Sequence, residues 1–173
     1  MDIFKKEKIF AAVKEDKPYL VIREDRYEVK TDEKGQKIVT CFGYCPFNGW
    51  GYIGKATCMT EDMEYYSYFL GTKIAVIKAN ICCLKDLIKY FKKALKKEVS
   101  ELEELMTNSN ADCIKKRVKE IIKEYNDVIK YFKEKLKYCY KDLYAINTTT
   151  RKRNYEMYKS ALEKIRRKKN GHI

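Results

Sequence analysis

The sequence predicts an α+β protein: a small N-terminal antiparallel β-meander followed by a long C-terminal antiparallel helical hairpin or three-helix bundle. Three observations carry that expectation. Short β-forming runs separated by turn residues occupy the first third of the chain. From Ile74 the apolar residues fall at Ile77, Ile81, Leu84, Ile88, Phe91 and Leu95, the three-four spacing of a helix that packs along another helix. The charge divides at the same place. Residues 1–70 carry 11 Lys+Arg against 12 Asp+Glu, whereas residues 71–173 carry 27 against 13. A β-rich part (1–70) and a basic helical part (71–173) are therefore expected to form one continuous unit.

Taken in order, Tyr19-Leu20-Val21-Ile22 follows Pro18 and is rich in β-formers, and Arg26-Tyr27-Glu28-Val29-Lys30 continues the strand reading. Asp32-Glu33-Lys34-Gly35 has turn chemistry, because Gly35 tolerates positive φ. Ile38, Thr40, Phe42 and Tyr44 then alternate with Val39, Cys41, Gly43 and Cys45. Pro46-Phe47-Asn48-Gly49 contains the Asn-Gly hairpin signal. The run Trp50–Cys58 should place Trp50, Tyr52, Ala56 and Cys58 on one face, with Gly51 and Gly54 marking a bulge or a close backbone approach.

At Thr60 the pattern turns helical. Thr60 suits an N-cap, and a short helix through Tyr65, Tyr66 and Phe69 is expected to stop at Gly71. Thr72 then caps a helix of about 35 residues, roughly 50 Å long, whose stripe breaks at Glu98 and resumes at Leu102 and Leu105. Thr107-Asn108-Ser109-Asn110 reads as a loop. Asn110 or Asp112 caps the next helix, striped by Ile114, Val118, Ile121, Tyr125, Val128, Phe132, Leu136 and Cys139. Asn147-Thr148-Thr149-Thr150 reads as a second loop, and Tyr155, Tyr158, Leu162 and Ile165 line a third helix ending at Gly171.

Composition narrows the classes of function. No apolar run of about 18 residues is present, so no membrane span is expected. Met1-Asp2-Ile3-Phe4-Lys5-Lys6 lacks the apolar region of a signal peptide, which points to a cytoplasmic location. Seven irregularly spaced cysteines make a poor disulfide framework and fit a reducing compartment. Cys41, Cys45, Cys58 and Cys82 or Cys83 lack the paired spacing of a zinc knuckle, and read as small buried hydrophobes. The single histidine, His172, is penultimate, so no Ser-His-Asp or Cys-His arrangement can be assembled. Gly49-Trp50-Gly51-Tyr52-Ile53-Gly54 lacks the strand-then-helix setting of a dinucleotide loop. Glu61-Asp62-x-Glu64 reads as a solvated helix start rather than a cation site. No catalytic residue, metal ligand or cofactor is assigned, and an enzyme is not expected.

The basic residues are the stronger signal. Lys115, Lys116, Arg117, Lys119 and Lys123 line one helix; Arg151, Lys152, Arg153, Arg166, Arg167, Lys168 and Lys169 bracket the last. Tyr125, Tyr131, Tyr138, Tyr140, Tyr155 and Tyr158 are interleaved among them. Lysine and arginine neutralise phosphates, and aromatic rings stack on bases. The competing reading is a solvated lysine-rich helix whose charges are screened by neighbouring acids. At the start of a helix, Arg151, Lys152 and Arg153 would oppose the helix dipole, which would mark them as kept for binding.

One stretch resembles a known group of proteins. Gly51-Tyr52-Ile53-Gly54-Lys55-Ala56-Thr57-Cys58, then Glu61-Asp62, then Gly71-Thr72-Lys73-Ile74-Ala75, is similar to small Firmicute-phage proteins of the anti-defence, anti-CRISPR-like type. Thr60 stands where proline is expected, and Lys78-Ala79 where Arg-Ala is expected. The Lys-, Ile- and Tyr-rich composition also goes with A+T-rich coding, as in low-GC bacteria and their phages. The resemblance implies a non-enzymatic inhibitor acting in the cytoplasm of a bacterial host, with a defence nucleoprotein or its nucleic acid as partner. It transfers no functional residue. The alternatives are a general nucleic-acid-binding protein and a coiled-coil oligomerisation module that pairs its stripes in a homodimer.

Overall fold

The computed structural model describes residues 22–58, 67–107 and 109–170, and from residue 150 onward only the side chains of Glu156 and Ser160. Three strands, β1 (Arg23–Thr31), β2 (Lys37–Tyr44) and β3 (Gly51–Cys58), form an antiparallel meander in the order β1-β2-β3. Two helices follow, α1 (Tyr68–Glu104) and α2 (Ala111–Asn170). This is the expected α+β arrangement with a C-terminal helical hairpin.

Both hairpin turns use the chemistry read from the sequence. Asp32 Oδ1 accepts the N–H groups of Lys34 and Gln36 at 3.0 and 2.8 Å, while Gly35 takes φ 77°. In the second turn Asn48 Oδ1 accepts the Trp50 N–H at 2.9 Å and Gly49 takes φ 72°. Cys45 N–H donates to the Trp50 carbonyl at 2.9 Å and closes that turn. Trp50 therefore belongs to the turn and is exposed, not on the buried face of β3 as expected. The bulge lies in β1, where the register shifts between Glu24 and Arg26, and β3 pairs with β2 without a shift.

The inner face of the sheet carries Val39, Cys41, Tyr52 and Ala56, and the first half of α1 lies across it with Ala75, Val76 and Ala79. Gly54 makes that approach close. A Cβ on it would lie 1.9 Å from the Ala75 carbonyl oxygen and 2.6 Å from the Ala79 nitrogen. The second half of α1 packs on α2 through Leu84, Leu87 and Phe91 against Ile121, Tyr125, Val128 and Phe132. Phe91 meets Tyr125 and Phe132 with ring centroids 6.0 and 5.8 Å apart. The apolar stripes of α1 and α2 thus pair within one chain, as the expected helical hairpin requires.

Three helix boundaries differ from expectation. Ser67 caps α1, its Oγ accepting the Leu70 N–H at 3.2 Å, so the helix runs through Gly71 instead of stopping there. Gly71 is needed for contact: a Cβ on it would sit 2.7 Å from Val39 Cγ2. Thr72 is inside the helix and its hydroxyl donates back to the Phe69 carbonyl at 2.8 Å. The Asn147–Thr150 segment is helical too, with Thr148 and Thr149 hydroxyls donating to the Tyr144 and Ala145 carbonyls at 2.8 and 2.9 Å. The second and third expected helices are therefore one helix of 60 residues, and the structure has a hairpin rather than a three-helix bundle. The strand at Tyr19–Val21, the Thr60 cap, Tyr65, Tyr66, Gly71's supposed predecessor helix at 60–66, and His172 lie outside the described residues, as do the side chains of Tyr155, Tyr158, Leu162 and Ile165.

Candidate nucleic-acid interface

Lys78, Lys85, Lys89, Lys92 and Lys96 succeed one another on α1 in steps of seven, four, three and four residues. Those steps return to the same side of a helix, so the five ammonium groups form one line about 27 Å long. All five are exposed, and among the described residues none has a carboxylate within 4.0 Å. Asp86 is the sole acid between Lys78 and Lys97. It sits about a quarter-turn off the line, on the side of the Tyr52 and Cys83 side chains, where its charge helps raise both their pKa values.

A second row joins the first from α2. Lys85 Nζ lies 5.7 Å from the centroid of the Tyr140 ring, which places the Tyr140 side of α2 beside the lysine line. The Tyr140 hydroxyl also raises the Lys85 pKa by hydrogen bonding. Within about a quarter-turn of Tyr140 lie Lys115, Lys119, Lys130, Lys133, Lys137, Tyr144 and one acid, Asp112 in the first turn, all exposed. Glu120, Glu124, Asp127, Glu134 and Asp142 occupy the other faces of α2. Farther round the outer face of α2, Lys116, Lys123 and Lys141 are interleaved with those acids. The α1 line is therefore acid-free from Lys78 to Lys96, whereas the outer face of α2 is mixed. At the β3 end, this face opens into a groove of about 640 Å³ whose lining includes Ile53, Lys55, Lys78, Ile81, Lys85 and Tyr140.

The residues singled out from the sequence separate under this geometry. Lys115, Lys116, Arg117, Lys119 and Lys123 are exposed on the first turns of α2, but only Lys115 and Lys119 lie on its Tyr140 side, with Asp112 beside them. Arg117 is paired with Glu120 at 3.2 Å. Arg151, Lys152 and Arg153 lie inside a continuous helix and not at its start, so the dipole conflict expected of them does not arise. The same helix holds them roughly 50 Å from Arg117, and the two basic groups do not converge. Arg166, Arg167, Lys168 and Lys169 are in the last turns of α2, where positive charge complements the dipole. Tyr125 is unavailable for stacking, being buried with its hydroxyl donating to Glu98 Oε2 at 2.5 Å; that contact also explains the break in the α1 stripe. Tyr131 is half-buried, whereas Tyr138 and Tyr140 are exposed. The sequence reading missed the α1 lysines, although their spacing was available to the count that found the apolar stripe.

The buried chemistry is modest. Among the described residues, no group of three or more His, Cys, Asp or Glu side chains could hold a metal ion. Cys41, Cys45, Cys83 and Cys139 are buried, while Cys82 and Cys113 are exposed, and all are free thiols. Cys45 and Cys83 form a buried pair across the sheet–helix contact. Cys45 accepts the Cys83 S–H and backbone donors from Phe47 and Asn48, which favours its thiolate and pulls its pKa to about 7. The same contact, with burial, pushes Cys83 up. No described helix is long and apolar enough to cross a membrane. Comparisons with protein-family models, curated proteins and solved structures give no match for this chain. The geometry is what bears on function.

Proposed function

We propose that this chain is a non-enzymatic binding protein that engages nucleic acid, alone or within a nucleoprotein, through the face of its helical hairpin that carries the acid-free α1 line. The observation that supports this is the sorting of charge. A lysine-rich chain whose helices were merely solvated would scatter its acids over every exposed face, since neighbouring pairs of opposite sign are favourable. Here the acids are withheld from the α1 line between Lys78 and Lys96, where mutual repulsion among lysines is unfavourable unless a polyanion offsets it. Phage-type inhibition is the biological form suggested by the resemblance over residues 51–75: the face would occupy the nucleic-acid path of a bacterial defence nucleoprotein.

Fluorescence anisotropy with labelled oligonucleotides tests the binding. Affinity should fall steeply with salt, and reversing Lys89, Lys92 and Lys96 to Glu should abolish it, while reversing Lys116, Lys123 and Lys141 on the mixed outer face of α2 should cost far less. Equal losses from the two triple variants would overturn the face as the interface. For the inhibitory form, co-expression with candidate defence nucleases is scored by plaque formation. Full immunity against every system tried would count against it without touching the binding itself.

A further inference from the structure

The groove at the head of the lysine line has three kinds of surface in one place. Its lining includes the buried Ile81 of α1, the edge of β3 at Ile53 and Lys55, and the exposed Tyr140 of α2. Lys55, Lys78 and Lys85 also line it, and among the described residues none of them has a carboxylate partner. Its third surface is the open edge of β3. Cys45 and Trp50 form a hydrogen-bonded pair, and such pairs alternate along an antiparallel ladder. The register Gly43↔Tyr52, Cys41↔Gly54 and Val39↔Ala56 then uses the backbone groups of Tyr52, Gly54 and Ala56 toward β2. Ile53 and Lys55 consequently turn their N–H and C=O groups the other way. Among the described residues β3 pairs with no other strand.

We infer that this groove binds an unpaired nucleotide of a single-stranded nucleic acid, a specialisation that rests on the proposed basic face. An aromatic ring and apolar side chains suit the face of a base, which a duplex keeps stacked and inaccessible. Backbone donors and acceptors at the strand edge suit the base's own hydrogen-bonding edge. The lining lysines suit the flanking phosphates, and the line from Lys85 to Lys96 carries the strand onward along α1. The volume, about 640 Å³, accommodates one nucleotide with its water.

Anisotropy titrations of three labelled probes test this: oligothymidylate and oligouridylate of about 20 nucleotides, and a duplex of the same length. Wild type should prefer both single strands to the duplex. Tyr140→Ala, with helicity checked by circular dichroism, should weaken single-strand binding roughly tenfold or more, the scale of one lost base–aromatic stack, and leave duplex binding within about twofold. Tyr140→Phe keeps the ring and should bind like wild type. An unchanged single-strand affinity in Tyr140→Ala would overturn the inference, as would an equal loss on the duplex. Displacement of the strand by polyglutamate of matched charge as readily as by unlabelled oligonucleotide would also overturn it, in favour of an acidic peptide. The broader reading fails separately: it falls if no probe binds at about 50 mM salt, and it stands if Lys89, Lys92 and Lys96 matter while Tyr140 does not.

Discussion

At the scale of single residues, close contacts decide what can change. Gly54 and Gly51 are near neighbours in β3, yet a Cβ on Gly54 would strike α1 backbone whereas one on Gly51 would meet nothing closer than the Gly43 carbonyl oxygen at 3.9 Å. Gly54→Ala should cost about 3 kcal/mol in urea unfolding, because helix and sheet must part to admit it; Gly51→Ala should be near neutral. Tyr125 gives a pH test. Burial, then its hydrogen bond to Glu98, raises its pKa in the folded protein, so the unfolded chain ionises first near pH 10. That stabilisation is fully present below pH 10 and is lost as the pH rises beyond it, because the unfolded state then binds fewer protons. Tyr125→Phe should be about 1 kcal/mol less stable than wild type at neutral pH. The difference should shrink above about pH 10; a constant difference to higher pH would contradict the raised pKa. Asn80, fully buried, reaches the Val76 carbonyl at 3.0 Å and accepts the Ile22 N–H at 3.2 Å. It ties the entry to β1 onto α1, a role invisible in a sequence where asparagine reads as a surface residue.

At the scale of elements, the turns and the apolar stripes were legible and the helix boundaries were not. Asp32-Glu33-Lys34-Gly35 and Asn48-Gly49 encode their geometry locally, in a side-chain acceptor and a residue that tolerates positive φ. Asn147-Thr148-Thr149-Thr150 has the same vocabulary but a different outcome. There the threonine hydroxyls turn back to carbonyls four residues earlier, inside a helix that already exists on both sides. Extending a formed helix is far easier than starting one, so four weak residues do not stop it. Replacing Thr148 and Thr149 together by Ala should leave helical ellipticity unchanged or slightly raised. A clear loss would mean that this segment is a junction needing threonine. At the other end of the hairpin, Ser67→Ala should lower stability by about 1 kcal/mol through loss of the cap on Leu70.

At the scale of the whole molecule, a net charge of +13 says that a polyanion is attracted but not where it lies. The antiparallel pairing of α1 with α2 settles which lysines are neighbours. It sets the row from Lys78 to Lys96 beside the Tyr140 side of α2, and it leaves Arg151, Lys152 and Arg153 far along one helix. Replacing Lys85, Lys89 and Lys92 by Ala should lower the salt slope of single-strand binding by about two, with the melting temperature unchanged or raised as repulsion is relieved. The Arg151, Lys152 and Arg153 triple variant should weaken binding less. A larger effect there would move the interface to the far end of α2.

The order of elements, the turn types, the apolar stripes and the imbalance of charge were all set by the sequence alone, because each depends on residues a few positions apart. Tertiary structure decided what depends on distant partners. It made Gly54 a point of contact, joined Cys45 to Cys83 and gave Glu98 to Tyr125. It also carried α2 through its threonines and gathered lysines from β3 and α1, with Tyr140 of α2, around one groove. Local spacing specifies a helix face, but only packing determines which faces end up side by side and what lies between them.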